Sequence, residues 1–280
     1  MSEETASLSY ATVNDVTLAY RLEHADAPGV PLVFLHGATL THQSWAAQMA
    51  HFAPSHPVLA VDARNHGRSS LTPGEHDLET HAEDLLALLA ELGLEGQRRP
   101  VLVGLSMGGM IAMRVTLRSQ FAARALVLAN TTSEGWYPPE EREQVLETLE
   151  KLTPEALTHW AGEWEKTFFT AAFRQAHPEQ VAGWRRRFEA QSLDQYREAM
   201  LGLLERRPIT DYLDIIDCPT LILSGAQDVT IPPNLSERLA QTIRGARLTM
   251  LADCAHLSNE EQPAAFNAAL EAFLAADVPQ

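Results

Sequence analysis

This sequence is poor in cysteine and contains no long apolar run. Only two cysteines, Cys218 and Cys254, occur among the 280 residues, so neither a disulfide framework nor a cysteine-based zinc site is expected. Both flank apolar stretches, which predicts buried free thiols. No apolar run approaches the roughly 20 residues of a membrane-spanning helix, and we expect no membrane association. The first ten residues lack the basic start and apolar centre of a signal peptide, which predicts a cytoplasmic location.

Basic residues are also scarce. Lysine and arginine total 21 against 37 acidic residues, giving a net charge of -16. Nucleic-acid binding depends on basic contacts to phosphate, so that class of partner is not expected. The one basic cluster, at 184–187 (WRRR), is interpreted as the solvated face of a helix. With 280 residues, 45% of them hydrophobic, the chain is long enough for one large domain with an insertion.

Short apolar runs recur along the chain, and helical spacing follows most of them. Continuous apolar runs of this length are typical of strands covered on both faces, and an alternating hairpin around Asn14-Asp15 precedes them. The predicted strands are 8–13, 16–22, 32–35, 58–61, 101–103, 125–129, 219–223 and 247–251. Alternating strands and helices predict an α/β fold with a mostly parallel, doubly wound sheet, in which ligands bind beyond the carboxyl ends of the strands.

This alternation stops after residue 130. Residues 131–211 contain no strand-like run, and their Glu, Arg and aromatic residues recur at helical spacing. We predict a helical cap, or lid, at 131–211, inserted in a core formed by 1–130 and 212–280. Most of the cap's aromatic residues should form its own core, with Trp136 or Trp164 contributing to a substrate pocket. The cap arginines Arg142, Arg174 and Arg185 are candidates to pair with a substrate carboxylate.

A glycine-rich turn follows the predicted strand 101–103. Residues 104–108 have the spacing GxSxG, in which the serine stands at the apex of a strained turn and the glycines let strand and helix approach closely. This pattern predicts Ser106 as a nucleophile. Two other interpretations remain open at this point: a phosphate-binding turn, although neither GxGxxG nor GK[ST] is present, and a turn with a purely structural role.

A serine nucleophile needs a base, and the base is best held by a carboxylate. In a doubly wound sheet both should lie in loops past strand ends, with the acid before the histidine in the chain. Asp228 follows strand 219–223, and His256 follows strand 247–251. We therefore predict a catalytic triad of Ser106, Asp228 and His256. Asp253 is a rival acid, which we interpret as capping the turn at the strand exit.

Acyl transfer also needs hydrogen-bond donors for the oxyanion. The backbone N–H of Met107 lies at the start of the helix after the nucleophile, where the helix dipole favours negative charge. A second donor should come from the loop after residue 35, and we predict the N–H of Ala38. Thr39 is the next candidate donor and a predicted substrate contact.

Four other histidines are candidates for structural roles. We interpret His36 as a brace of the loop that it begins and His66 as part of a structural turn. His42 and His81 begin predicted helices and have no carboxylate at an informative spacing. These scattered imidazoles do not have the spacing of a metal site, and we predict neither a metal ion nor a cofactor.

The motifs together resemble a known superfamily. His36-Gly37, 62–69 (DARNHGRS), 104–109 (GLSMGG), Asp228 and His256, in this order, resemble the α/β hydrolases. Within that superfamily, GLSMGGMIA, LANTTS at 128–133 and AHLSNEEQPAAFN at 255–267 look like the 3-oxoadipate enol-lactonase branch. The resemblance implies the α/β-hydrolase fold and a triad at the three predicted positions. That branch commonly has a serine-rich loop where this chain keeps 36–39 (HGAT).

We therefore expect a serine hydrolase that cleaves a small carboxylic ester or lactone, with an enol-lactone as one candidate substrate. A C–C bond hydrolase or a perhydrolase could use the same triad. A ligand receptor that turns over slowly is an alternative of a different class. The expected partner is a small-molecule substrate, and the sequence leaves open whether the chain is a monomer or a homo-oligomer.

Overall fold

The apolar runs of the sequence form one eight-stranded sheet. The computed structural model describes residues 8–135 and 139–278. The strands are β1 (Ser9–Val13), β2 (Val16–Glu23), β3 (Leu32–Leu35), β4 (Val58–Val61), β5 (Val101–Leu105), β6 (Ala125–Ala129), β7 (Thr220–Gly225) and β8 (Arg247–Leu251). They lie side by side in the order β1-β2-β4-β3-β5-β6-β7-β8. Each predicted strand is confirmed, with ends that differ by no more than two residues.

The sheet is antiparallel at one edge and parallel elsewhere. β1 and β2 form the predicted hairpin, and β2 is also antiparallel to β4. From β4 through β8, every neighbouring pair is parallel. Leu35 lies opposite Gly104, and Leu105 opposite Ala129. The carboxyl ends of β3, β5 and β6 therefore meet at one edge of the sheet.

Eleven α-helices are described in residues 8–135 and 139–278. They are α1 (Ala46–Phe52), α2 (Leu78–Glu91), α3 (Met107–Arg118), α4 (Pro139–Glu150), α5 (Pro154–Phe168), α6 (Ala171–Ala176), α7 (Pro178–Glu189), α8 (Leu193–Leu204), α9 (Pro233–Thr242), α10 (Ser258–Glu261) and α11 (Pro263–Ala276). In these described segments no helix combines the length and hydropathy needed to cross a membrane.

Helices cover both faces of the sheet. Within β3, Leu32 and Phe34 pack in one apolar cluster with α1 and α11, whereas Val33 and Leu35 pack in a second cluster with α2, α3 and α9. Successive strand residues point to opposite faces, so a strand buried on both sides must be apolar throughout. This explains why the central strands appear in the sequence as unbroken apolar runs.

The helices α4 to α8, which we call the cap, lie between β6 and β7 in the chain. The segments that enter and leave the cap touch each other: the Ile209 N–H donates to the Ser133 carbonyl oxygen at 2.8 Å, and the Ser133 and Thr210 hydroxyls are 2.7 Å apart. The two chain connections between this helical segment and the strands before and after it therefore lie side by side. The exact division into a core and a cap at 131–211 stays a prediction.

The basic cluster at 184–187 lies in α7, and the structure agrees with the predicted solvated face for its arginines but not for Trp184. Trp184 is fully buried among cap aromatics, and Arg185 and Arg187 form ion pairs with Glu165 and Glu260. Helical periodicity turns neighbouring residues in different directions, so four consecutive residues cannot share one face. The prediction of a solvated face is therefore wrong for Trp184, whereas the side chains of Arg185, Arg186 and Arg187 keep part of their surface exposed.

The turn around Ser106 depends on two glycines that bring α3 against the sheet. A Cβ atom on Gly108 would stand 2.0 Å from the Leu35 carbonyl oxygen, and one on Gly104 would stand 2.4 Å from the Gly108 backbone. Real Cβ atoms do not approach backbone atoms this closely, because the packed interior has no room for the overlap. The predicted reason for glycine at these positions is confirmed.

Substitution Gly108→Ala should therefore destabilise the protein by about 3 kcal/mol or more, because backbone on both sides must move. Gly162→Ala is the matched control. It lies within α5, with no other atom nearer than 4.0 Å to the added carbon, and it should stabilise by about 1 kcal/mol through helix propensity. Urea unfolding measures both, and equal effects of the two substitutions would contradict the packing argument.

Candidate active site

Ser106 occupies the turn between β5 and α3 in a strained backbone conformation. Its φ is 51° and its ψ is -116°, a region that non-glycine residues rarely adopt. The turn is held in place because the Ser106 N–H donates to the Ala129 carbonyl oxygen at 2.9 Å, and the Thr131 hydroxyl donates to the Ser106 carbonyl oxygen at 2.6 Å. The side chain is thereby presented at the carboxyl edge of the sheet.

Asp228 and His256 are brought together from the ends of β7 and β8. His256 Nδ1 lies 2.8 Å from Asp228 Oδ2, and each residue is only 2% exposed. The other oxygen of Asp228 accepts the backbone N–H groups of Thr230 and Ile231 at 2.8 and 2.9 Å. Because a carboxylate only accepts, the proton of a neutral His256 lies on Nδ1, which leaves Nε2 as an acceptor.

Asn130 supports this pair, although it is not among the residues predicted from the sequence for the site. Its side-chain amide donates to Asp228 Oδ2 at 2.8 Å, and its oxygen accepts the Ser258 hydroxyl at 2.6 Å. Asn130 has a φ of 46°, which asparagine tolerates better than most residues. An asparagine directly after a buried strand, at the edge that carries the other site residues, is the signal that could have identified it.

A cavity of about 300 Å³ lies where the carboxyl edge of the sheet meets the cap. Ser106 and His256 both line it. Cap helices α5 and α8 supply part of the wall, and the loop after β3 supplies another part. The lining residues are Gly37, Ala38, Thr39, Leu40, Ser106, Met110, Thr132, Glu134, Gly135, Trp164, Phe168, Met200, Leu203, Arg206, Thr230, Ile231, Pro232, Leu235, His256 and Leu257.

Two backbone N–H groups, that of Ala38 in the cavity lining and that of Met107 directly after Ser106, donate no hydrogen bond to another protein atom within the described residues. Met107 is the first residue of α3, where helix N–H groups have no intrahelical partner. Backbone N–H groups without a protein partner can stabilise negative charge that develops on a molecule bound next to Ser106.

Two of the three predicted substrate contacts, Thr39 and Trp164, can be located in the structure. Trp164 and Thr39 both line the cavity. Thr39 is buried and has a φ of 62°, an unfavourable conformation for a β-branched residue. Trp136 lies outside the described residues. Phe168, another cap aromatic residue that lines the cavity, packs its ring 5.1 Å from that of His256.

The arginine that lines the cavity is Arg206. It is not one of the three cap arginines predicted from the sequence. In the described lining, Arg142, Arg174 and Arg185 are absent, and Arg185 instead pairs with Glu165. Arg206 donates to the carbonyl oxygens of Glu134 and Leu203 at 2.9 and 2.7 Å. Burial, together with the charge of Arg114, lowers the pKa of Arg206 to about 10, so its guanidinium stays charged at neutral pH.

His42 has a carboxylate partner, contrary to the prediction. Its Nδ1 lies 2.8 Å from Asp62 Oδ1, and its backbone N–H donates to the same oxygen at 2.7 Å. Burial opposes ionisation of Asp62, but the hydrogen bonds and charge of His42 outweigh it and hold the pKa of that carboxyl below its usual range. The partner is 20 residues away and comes close because β3 and β4 are adjacent, which spacing on one helix cannot reveal.

His36 braces two loops, as predicted. Its Nε2 accepts the Ala63 N–H at 3.0 Å, and its Nδ1 lies 2.7 Å from the Gly37 carbonyl oxygen. Burial lowers the pKa of His36 and, still further, that of His66, whose Nδ1 lies 2.8 Å from the Arg64 carbonyl oxygen. Both rings are therefore neutral and structural.

Asp253 and the cysteines are poor candidates for chemistry. Asp253 is exposed, with a φ of 51°, and its carboxylate accepts a hydrogen bond from Gln227. Both cysteines are free thiols; Cys254 is buried as predicted, whereas Cys218 is half-buried. Burial raises the pKa of the Cys218 thiol to about 11 and also raises that of Cys254. In residues 8–135 and 139–278, no three His, Cys, Asp or Glu side chains are grouped as metal ligands.

A mostly parallel sheet with helices on both faces, a strained Ser106 turn after β5 and an Asp–His pair after the last two strands define the α/β-hydrolase class. The chain belongs to the α/β hydrolase family, whose model matches residues 32–269.

Individual relatives agree with this membership. The chain is 29% identical over 271 residues to 3-oxoadipate enol-lactonase 2 of Acinetobacter baylyi, covering 94% of this chain and 95% of that protein. It is similar to the solved enol-lactonase of Burkholderia xenovorans LB400, with 27% identity, a TM-score of 0.87 and coverage of 95% and 100%. A thermophilic esterase of Thermogutta terrifontis, solved with malate bound, has 29% identity, a TM-score of 0.88 and coverage of 96% and 98%. The predicted resemblance is confirmed.

The role of Asn130 leads to a prediction about stability. In Asn130→Asp, a second carboxyl group lies against Asp228. At low pH the two groups share a proton, whereas at higher pH both must carry a negative charge, which is unfavourable at this distance. The pKa of the new group in the folded protein is then raised above the value of about 4 in the unfolded chain. Folding stability relative to the native protein is therefore lost as pH rises above about 4 toward the raised value.

Differential scanning calorimetry between pH 5 and pH 8 measures this effect. The difference in Tm between Asn130→Asp and the native protein should widen with rising pH. Asn130→Gly, which also tolerates positive φ, removes the same hydrogen bonds without adding a charge, so its difference should stay constant. A constant difference for Asn130→Asp would contradict the placement of its side chain against Asp228.

Proposed function

We propose that this chain is a serine hydrolase that cleaves a small carboxylic ester or lactone through an acyl-enzyme. Ser106 is the nucleophile, His256 the general base and Asp228 the carboxylate that orients it. The observation that carries the proposal is the 2.8 Å Asp228–His256 contact, with His256 and Ser106 on the wall of one cavity. The relatives named as enol-lactonases and as an esterase support the same class of reaction.

The reaction begins with proton transfer from the Ser106 hydroxyl to Nε2 of His256, while Nδ1 stays bonded to Asp228. The serine oxygen attacks the carbonyl carbon, and the N–H groups of Ala38 and Met107 stabilise the oxyanion. His256 then gives its proton to the leaving alkoxide, and the acyl group remains on Ser106. In the second half, His256 deprotonates a water molecule, which attacks the acyl carbon. His256 then returns the proton to the departing Ser106 oxygen, and the acid is released. A lactone follows the same steps, with its alcohol still attached to the acyl group.

The cavity favours a small substrate. Its volume of about 300 Å³ is at the lower end of small-molecule sites. Trp164, Phe168 and Leu257 offer an apolar wall, and Thr39 lies next to the proposed donor Ala38. We assign Trp164 and Thr39 as substrate contacts on this basis. An enol-lactone is one candidate substrate within the proposed class.

The variant Ser106→Ala tests the nucleophile. Turnover of p-nitrophenyl acetate should fall by at least about 10⁴-fold, with an unchanged far-UV circular dichroism spectrum. A fluorophosphonate probe should label the native protein at Ser106, as located by peptide mass spectrometry. Retained turnover in Ser106→Ala, or a label on another residue of the native protein, would contradict the assignment of Ser106 as the nucleophile.

The variant Asp228→Asn tests the acid against its rival. Loss of the carboxylate should lower kcat by about 10⁴-fold, because His256 is no longer held in the productive tautomer. Asp253→Asn makes the same chemical change 25 residues away, at an exposed site, and should leave kcat within about twofold. The opposite ranking would make Asp253 the acid.

A substrate panel separates this proposal from other uses of the same triad. Lactones and short esters should turn over faster than a vinylogous diketone, the substrate type of a C–C bond hydrolase. Bromination that depends on peroxide and a carboxylic acid would indicate a perhydrolase. Ligand-dependent protein binding at near-zero turnover would indicate a receptor.

A further inference from the structure

The carboxylate of Glu261 joins two parts of the molecule that are far apart in sequence. It lies at the end of α10, five residues after His256, and is 6% exposed. Its Oε2 accepts the Ala255 N–H at 2.8 Å. Its Oε1 accepts the backbone N–H of Thr170 at 3.0 Å and the Thr170 hydroxyl at 2.5 Å. None of the catalytic steps above uses this carboxylate.

We call the hydrogen bonds of Glu261 to Ala255 and to Thr170 the Glu261 bridge. At one end, this bridge holds the loop that carries His256. Ala255 directly precedes His256, so the bond to Glu261 fixes the backbone through which the imidazole is placed. Hydrogen bonds between a buried carboxylate and backbone N–H groups are short and strong. A small displacement of a reacting group can cost 10²-fold in rate. The position of this backbone therefore matters for any chemistry at His256.

The other end holds the cap. Thr170 is the N-cap residue of α6, and its hydroxyl accepts the Phe173 N–H at 3.1 Å. Two residues earlier, the Phe168 carbonyl oxygen accepts the Leu257 N–H at 3.1 Å, while the Phe168 ring packs on His256. The cap segment 168–170 and the loop 255–257 thus share a seam of hydrogen bonds beside the cavity.

We propose that Glu261 is a positioning residue that couples the placement of the cap over the cavity to the placement of His256. The inference rests on the proposed function, since it assigns a consequence to the alignment of His256. A substrate that packs under the cap also stabilises, through Thr170 and Glu261, the backbone that presents the imidazole. Loss of the bridge should therefore affect kcat through the Ala255 bond and KM through the Thr170 bonds.

The test compares Glu261→Gln with Glu198→Gln. The glutamine amide keeps one acceptor oxygen but turns an NH₂ group toward the donors at one end of the bridge. Glu198 is the matched control: it is equally buried and accepts the Gly74 N–H, but it ties cap helix α8 to residues 74–76 and makes no hydrogen bond to the loop 255–257 within the described residues. We expect kcat for p-nitrophenyl acetate to fall about 10- to 100-fold in Glu261→Gln and to stay within about threefold in Glu198→Gln.

A second pair of variants isolates the cap end. Thr170→Val removes the hydroxyl, whereas Thr170→Ser keeps it. With p-nitrophenyl hexanoate, whose acyl chain is longer than that of the acetate, KM should rise about fivefold in Thr170→Val. Because the Thr170 backbone N–H still donates to Glu261, kcat for the acetate should change less than about threefold. Thr170→Ser should restore the native KM. Should Glu261→Gln fail to fold, this pair decides the question.

The outcomes distinguish this inference from the proposed function. Fluorophosphonate labelling of native Ser106, together with equal kcat in Glu261→Gln and Glu198→Gln, overturns the coupling and leaves the serine mechanism in place. An unchanged KM in Thr170→Val would equally overturn it. Absence of labelling at Ser106 in the native protein overturns the mechanism itself.

Discussion

The close approach of α3 to the sheet is the constraint on which the site depends. The Leu35 carbonyl oxygen lies where a Cβ atom on Gly108 would stand, and Ser106 alone separates the last residue of β5 from the first residue of α3. The serine between them is forced into its unusual backbone conformation. The same contact fixes the loop after β3 against the start of α3, so the Ala38 and Met107 N–H groups keep a constant relation to each other. The absence of side chains at Gly104 and Gly108 thereby helps to fix the positions of Ser106 and of these two N–H groups.

Much of the fold could be predicted because it depends on local patterns. Strands buried on both faces must be apolar throughout, and the runs at 32–35 and 58–61 appear in the structure with these same bounds. The positions of Asp228 and His256 followed from the geometry of a parallel sheet, whose strand ends meet at one edge. Their assignment as a triad with Ser106 stays a prediction, supported by the contact between the two and by their shared cavity.

The contacts that escaped prediction join residues far apart in the chain. Asn130 meets Asp228 across 98 residues, and His42 meets Asp62 because two strands are neighbours. Neither pair has a period or a spacing that a single sequence displays. The error at Trp184 has another cause, because consecutive residues of a helix point in different directions and do not share one face. The acidic partners of Arg185 and Arg187 again lie on other segments. Polar networks join residues that are distant in the chain, whereas hydrophobic periodicity involves neighbouring residues and can be recognised in a single sequence.

The two ends of the cap segment touch, through Ser133, Ile209 and Thr210. An inserted segment that starts and finishes at one point can change in length or sequence without shifting the strands on either side, since loop ends that already meet impose little on what lies between them. In evolutionary terms, the specificity of such an enzyme can diverge within one exchangeable stretch of the gene. A cap exchanged in this way would still have to form the hydrogen bonds that Thr170 makes to Glu261. Without them it would not fit the loop that carries His256.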